Sequence, residues 1–75
     1  MLAQPKKIDF YERRFGVIAV EKGYVTPEEL IEALTIQVQE DIEIGTHRLI
    51  GEILLDRDVT SADQIEDVLK AVFRQ

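Results

Sequence analysis

Four side chains in this sequence are the candidates for gripping an anion beside a glycine. Arg13 and Arg14 stand together near the start, Arg48 stands near the middle, and the amide of Gln37 could share the load. A guanidinium binds a phosphate through two parallel N–H donors, so Arg14 or Arg48 beside a glycine is a phosphate-binding arrangement. Gly16 and Gly51 supply that glycine, since each sits within a few residues of an arginine inside an apolar, helical pattern. There a glycine costs roughly 1 kcal/mol relative to alanine. It offsets this cost by letting another backbone, a packed side chain or a ligand come close. For Gln37, one turn after Leu34, an interhelical hydrogen bond competes with a ligand contact.

The remaining polar chemistry is thin. His47 is the only histidine and there is no cysteine, so thiolate metal sites, disulfides and cysteine nucleophiles are excluded. Asp56, Asp58 and Asp63 straddle a turn, yet their spacing departs from a calcium loop and the turn glycine is missing. No glycine-rich phosphate loop or nucleophile elbow occurs. The chain reads as a non-enzyme without a cofactor or metal.

Those residues must be positioned by helices. Tyr11, Phe15, Ile18 and Ala19 fall on one face of a first helix, although Val17, Ile18 and Val20 equally suit a strand. Gly23 ends it. Thr26-Pro27-Glu28-Glu29 is a capping box with proline at the first helical position, and opens a second helix burying Leu30, Ala33, Leu34 and Val38. That helix runs to about Glu40 or Glu43 and Gly45 closes it. Thr46 caps a third, short helix carrying Leu49, Ile50, Ile53, Leu54 and Leu55, ending near Asp58. Ser61-Ala62-Asp63-Gln64 is a second capping box, followed by Ile65, Val68, Leu69, Val72 and Phe73 on one face. The fold class expected is all-α: four helices in two tandem helix-turn-helix hairpins packed on each other.

A shift of 35 residues lays the second hairpin on the first. Phe15 meets Ile50, Gly16 meets Gly51, Ile18 meets Ile53, Thr26 meets Ser61, Leu30 meets Ile65 and Leu34 meets Leu69. This spacing reads as a degenerate internal duplication over about 13–40 and 48–75, in which each hairpin covers the apolar face of the other. The domain then occupies 8–75, after a flexible lead-in over 1–7.

At Arg14-Phe15-Gly16, with Gly23, Leu30, Leu34 and Gln37 downstream, the chain resembles the N-terminal domain of bacterial type II secretion and type IV pilus assembly ATPases. The resemblance covers about 60 of the 75 residues, with one good copy of the motif and one worn copy. It implies a regulatory or protein-interaction module. In a subset of that family two tandem copies bind cyclic di-GMP, which implicates Arg14, Gly16 and Gln37 in the first copy. In the second copy Gly51 is kept, but Leu49 and Val72 stand where Arg14 and Gln37 would be, and Arg48 is displaced by one position.

Composition narrows the partners. Net charge is −6, and residues 15–75 alone carry five basic against thirteen acidic side chains. An acidic body repels the phosphates of DNA or RNA, so no nucleic-acid polymer is expected as partner. The longest apolar run is the four residues from Val17 to Val20, too short to insert in a membrane, and a cytoplasmic location is expected. Phe10, Tyr11 and Phe73 are the aromatic anchors left near the chain ends, where cover is scarce, and Val72 is expected to be exposed beside Phe73. The three aromatics are the candidate surface for a protein partner or for self-association.

Overall fold

The computed structural model describes residues 7–74. Of the lead-in expected over residues 1–7, residues 1–6 lie outside them and Lys7 is already helical. Four helices follow in order: α1 Lys7–Glu21, α2 Pro27–Glu43, α3 Ile50–Asp56 and α4 Ala62–Phe73. No strand occurs among the described residues, so the β-branched run in α1 is helical.

The turn chemistry explains most of the boundaries. At the end of α1 the N–H of Tyr24 donates to Ala19 O and that of Gly23 to Val20 O, both at 3.0 Å. Gly23 takes φ +81° to make this possible. The same pair of bonds closes α3, from Val59 to Leu54 and from Asp58 to Leu55. Asp58 there holds φ +61° without the freedom of a glycine. Both capping boxes form: Glu29 N–H donates to Thr26 Oγ1 at 3.1 Å, and Gln64 N–H to Ser61 Oγ at 3.2 Å. Their reciprocal bonds, Thr26 N–H to Glu29 Oε1 and Ser61 N–H to Gln64 Oε1, are 2.9 and 3.0 Å. Every one of these bonds in the first hairpin has its counterpart 35 residues later.

The start of α3 departs from the sequence expectation. Thr46 is not its cap; the helix begins at Ile50, and Glu52 reaches back to accept from Leu49 N–H at 2.8 Å. A helix begun at Thr46 would need Ile50 N–H and Arg48 O for its own ladder. Here Glu12 Oε1 accepts from Ile50 N–H at 3.3 Å, and Arg48 O accepts from the Gln37 amide at 2.7 Å. Tertiary partners have taken the groups the helix would use.

The helices pair across the two hairpins. α1 packs chiefly on α4 and α2 chiefly on α3, while the two helices within each hairpin touch less. The core is Phe15, Ala19, Val25, Ala33, Ile50, Ile53, Leu54, Val68 and Val72, none more than 6% exposed. Burying such side chains yields about 25 cal/mol per Å² of apolar surface.

Several side chains expected inside are not. On α2 the inward stripe is Leu30, Ala33 and Gln37, so Leu34 and Val38 turn out to solvent at 41% and 52% exposure. The buried amide of Gln37 sets that rotation. Leu49 just before α3, Leu55 on α3 and Leu69 on α4 are also uncovered, while Phe73 is exposed, as expected of that terminal aromatic. Val72 departs in the other direction: it is buried in the core, and only Phe73 of that terminal pair is exposed. No described helix is long and apolar enough to cross a membrane.

Candidate functional site

The candidate phosphate-binding residues do not share one surface. Gln37 is 8% exposed, and its Nε2 donates to Glu12 Oε1 and to Arg48 O, each at 2.7 Å. Glu12 Oε1 also receives Ile50 N–H. One carboxylate of α1 thus ties α2 to the first residue of α3. The remaining oxygen, Glu12 Oε2, is buried without a hydrogen-bond partner and lies 4.0 Å from His47 Nε2. His47 Nδ1 in turn lies 3.0 Å from Asp41 Oδ1.

Arg48 is held by acids. Its Nη2 and Nε lie 2.8 and 3.1 Å from the two carboxylate oxygens of Glu40, a two-pronged pair. Asp56 Oδ2 lies 3.5 Å from Nη1. The hydrogen bond from Arg48 lowers the pKa of Glu40 below its ordinary value, and the bond to Glu40 raises that of Arg48. A phosphate would have to displace Glu40 to use this guanidinium.

The glycines are also occupied. A Cβ on Gly16 would stand 2.9 Å from Leu30 Cδ1, and one on Gly51 would stand 3.3 Å from Phe15 Cζ. Each glycine admits a core side chain. Arg14 is half-buried with its Nε buried and unpaired, whereas Arg13 is exposed. Among the described residues no group of three or more His, Asp or Glu side chains is placed to hold a metal ion.

A second polar seam joins the far ends of the hairpins. The Tyr24 hydroxyl donates to Asp67 Oδ2 at 2.6 Å, and Lys22 Nζ lies 3.3 Å from the same oxygen. The Tyr24 bond and then Lys22 hold the Asp67 carboxyl below its usual range, while Asp67 pushes the Tyr24 phenol up.

What lies open is apolar. A groove of about 510 Å³ runs between α1, α3 and α4. Phe15 and Gly51 form its floor with Ile50 and Val72 beside them. Leu49, just before α3, and Leu55 on it form one wall, and Leu69 and Phe73 of α4 the other. Tyr11 closes one end, its ring 5.0 Å from that of Phe73 and 5.4 Å from that of Phe10. Phe10, Tyr11 and Phe73 therefore form one aromatic cluster, with Phe10 and Phe73 58% and 63% exposed. The size suits a few large side chains of a partner rather than a metal or a small ion.

The repeat shows why this groove is greasy. Thirty-five residues after Arg14, Gly16 and Gln37 come Leu49, Gly51 and Val72, and all three line the groove. The first half has a polar seam where the second half has apolar walls. Residue chemistry does not single out Leu49, Leu55 or Leu69. For Leu55 a signal lies in α3, whose seven residues include four large aliphatics, more than one buried face can absorb.

Compared with known proteins, the chain matches no family, no curated protein and no solved structure.

Proposed function

We propose that this domain is a non-catalytic protein-interaction module whose docking site is the groove between α1, α3 and α4. The observation that supports the reading most is the groove itself. Leu49, Leu55, Leu69 and Phe73 stand at 39–63% exposure around one concavity instead of being scattered. Contiguous apolar surface costs free energy in water, and proteins keep it where something else covers it. The resemblance to a secretion-ATPase N-terminal domain points the same way, toward a regulatory module in the cytoplasm of a bacterium. Nothing in the polar seams resembles a reacting group held beside a substrate cavity.

A nucleotide-sensing reading, with cyclic di-GMP as ligand, rests on Arg14 and its unpaired Nε. The rest of the candidate set gives it less: Gln37 donates twice internally, Arg48 is paired with Glu40, and Gly16 is filled by Leu30. The test is a photo-crosslinking amino acid placed at Leu55 or at the exposed control Gln39 on α2, in cells that make the protein. The interaction reading expects a discrete protein adduct from Leu55 and none from Gln39. Calorimetric titration with cyclic di-GMP is expected to be silent. Micromolar binding abolished by Arg14→Ala would replace this reading with the nucleotide one.

A further inference from the structure

The occupant of the groove can be narrowed by charge. Among the described residues only two charged side chains line it, Glu12 and Glu52, and both are acidic. The Glu12 carboxylate is mostly buried, one oxygen 4.0 Å from His47 Nε2, whereas Glu52 is exposed. On α4, Glu66, Leu69 and Phe73 follow at spacings of three and four, which places a third carboxylate along the same side of the helix. The body behind carries the excess of acid, with a net charge of −6 for the whole chain.

We infer that the groove receives the apolar face of a basic amphipathic helix, its Leu or Ile side chains between the walls and its Lys or Arg side chains over Glu52 and Glu66. This rests on the reading of the groove as a docking site and adds the partner's chemistry. Helix-in-groove recognition needs apolar anchors at spacings of three and four along one face. The pair Leu49–Leu55 on one wall and Leu69–Phe73 on the other offers matching contacts. Acidic rim groups then favour basic flanks and speed the encounter.

A second copy of this chain fits less well. Its free apolar stripe is Ile31, Leu34, Val38 and Ile42 on α2, and helical spacing sets Glu28 and Asp41 along its borders. Docking that stripe would bring acid against acid. An anionic membrane surface is disfavoured for the same reason.

The test uses the full chain, nitrogen-15 labelled, and three synthetic peptides of about 16 residues, long enough for some four helical turns. All share one face of Leu and Ile at spacings of three and four; the flanks are Lys, Gln or Glu. Amide shifts locate binding and calorimetry measures it. The lysine peptide is expected to bind at least about tenfold more tightly than the glutamate peptide, since each exposed pair contributes modestly. Shifts should centre on Leu49, Leu55, Leu69 and Phe73. The double variant Glu52→Gln, Glu66→Gln should shrink that difference to about threefold or less. It should leave α3 intact, because a glutamine amide oxygen in place of the Glu52 carboxylate can still accept from Leu49 N–H. Equal affinities for all three peptides at the groove would overturn the basic partner and leave the docking site standing. Absence of binding at the groove by any peptide would overturn both.

Discussion

Replacing Gln37 by methionine tests the polar seam that decides which half of the molecule stays open. Methionine keeps the length of the side chain and removes both N–H donors. One lost bond ran to a neutral carbonyl, Arg48 O, and one to a carboxylate, Glu12 Oε1. Such bonds contribute about 1 kcal/mol and about 1.5–3 kcal/mol respectively, more when a buried partner is left unsatisfied. Glu12 Oε1 keeps only the longer bond from Ile50 N–H, at 3.3 Å. Burying a thioether instead of an amide returns part of this, leaving a net loss of about 2–3 kcal/mol. A domain of 75 residues has roughly 4–11 kcal/mol in all, so the loss is a large share. Urea denaturation should show a midpoint lower by about 2 M, taking a slope near 1 kcal/mol/M. The cycle with Glu12→Gln and the double variant should give a coupling of about 1 kcal/mol or more. A loss below about 0.5 kcal/mol, or coupling near zero, would refute the claim that Gln37 is a structural tie and would return it to the candidate ligand residues.

Two further outcomes follow from the seams and turns. Glu40 and Asp67 have lowered pKa values in the folded state, so their pairs with Arg48 and with Tyr24 and Lys22 stabilise above the ordinary carboxylate range. That stabilisation should be lost as pH falls below about 4 through the lowered values, and Asp67→Asn should flatten this part of a urea-midpoint curve against pH. The opposite sign holds for Tyr24: its bond to Asp67 persists below the ordinary 10.0 and is lost as pH rises through the raised value. At the hairpin turns, Asp58→Gly should raise the melting temperature by a few degrees, relieving about 0.5–1 kcal/mol at φ +61°, whereas Gly23→Ala at φ +81° should lower it. Equal responses at the two turns would show that the positive φ is not the controlling feature.

How far the residues alone can lead depends on which physics sets each element. Helix ends are readable because caps and closing glycines are local. Thr26, Ser61, Gly23 and Gly45 do in three dimensions what their spacing requires. The start of α3 is not readable, because Glu12 and Gln37 reach it from 38 and 11 residues away. The rotation of α2 escapes for a related reason. Periodicity allows either Leu34 and Val38 or Ala33 and Gln37 to face inward, and only the buried amide network selects the second. The same network decides the site. Arg14 and Gln37 draw attention through their chemistry, while their counterparts Leu49 and Val72, lacking any, line the open groove beside Gly51.

That contrast offers a matched pair for the central claim. Leu34 and Leu69 occupy corresponding positions in the two hairpins and are equally exposed, at 41% each. Lysine at either position should be tolerated with little change in stability, since both side chains already reach solvent. Partner capture by the Leu55 photo-crosslinker should be measured in both variants. Adduct formation is expected to fall at least about tenfold in Leu69→Lys, one anchor's contribution. In Leu34→Lys it should change by no more than about twofold. Equal losses in the two, or a larger loss in Leu34→Lys, would contradict the assignment of the groove as the docking site.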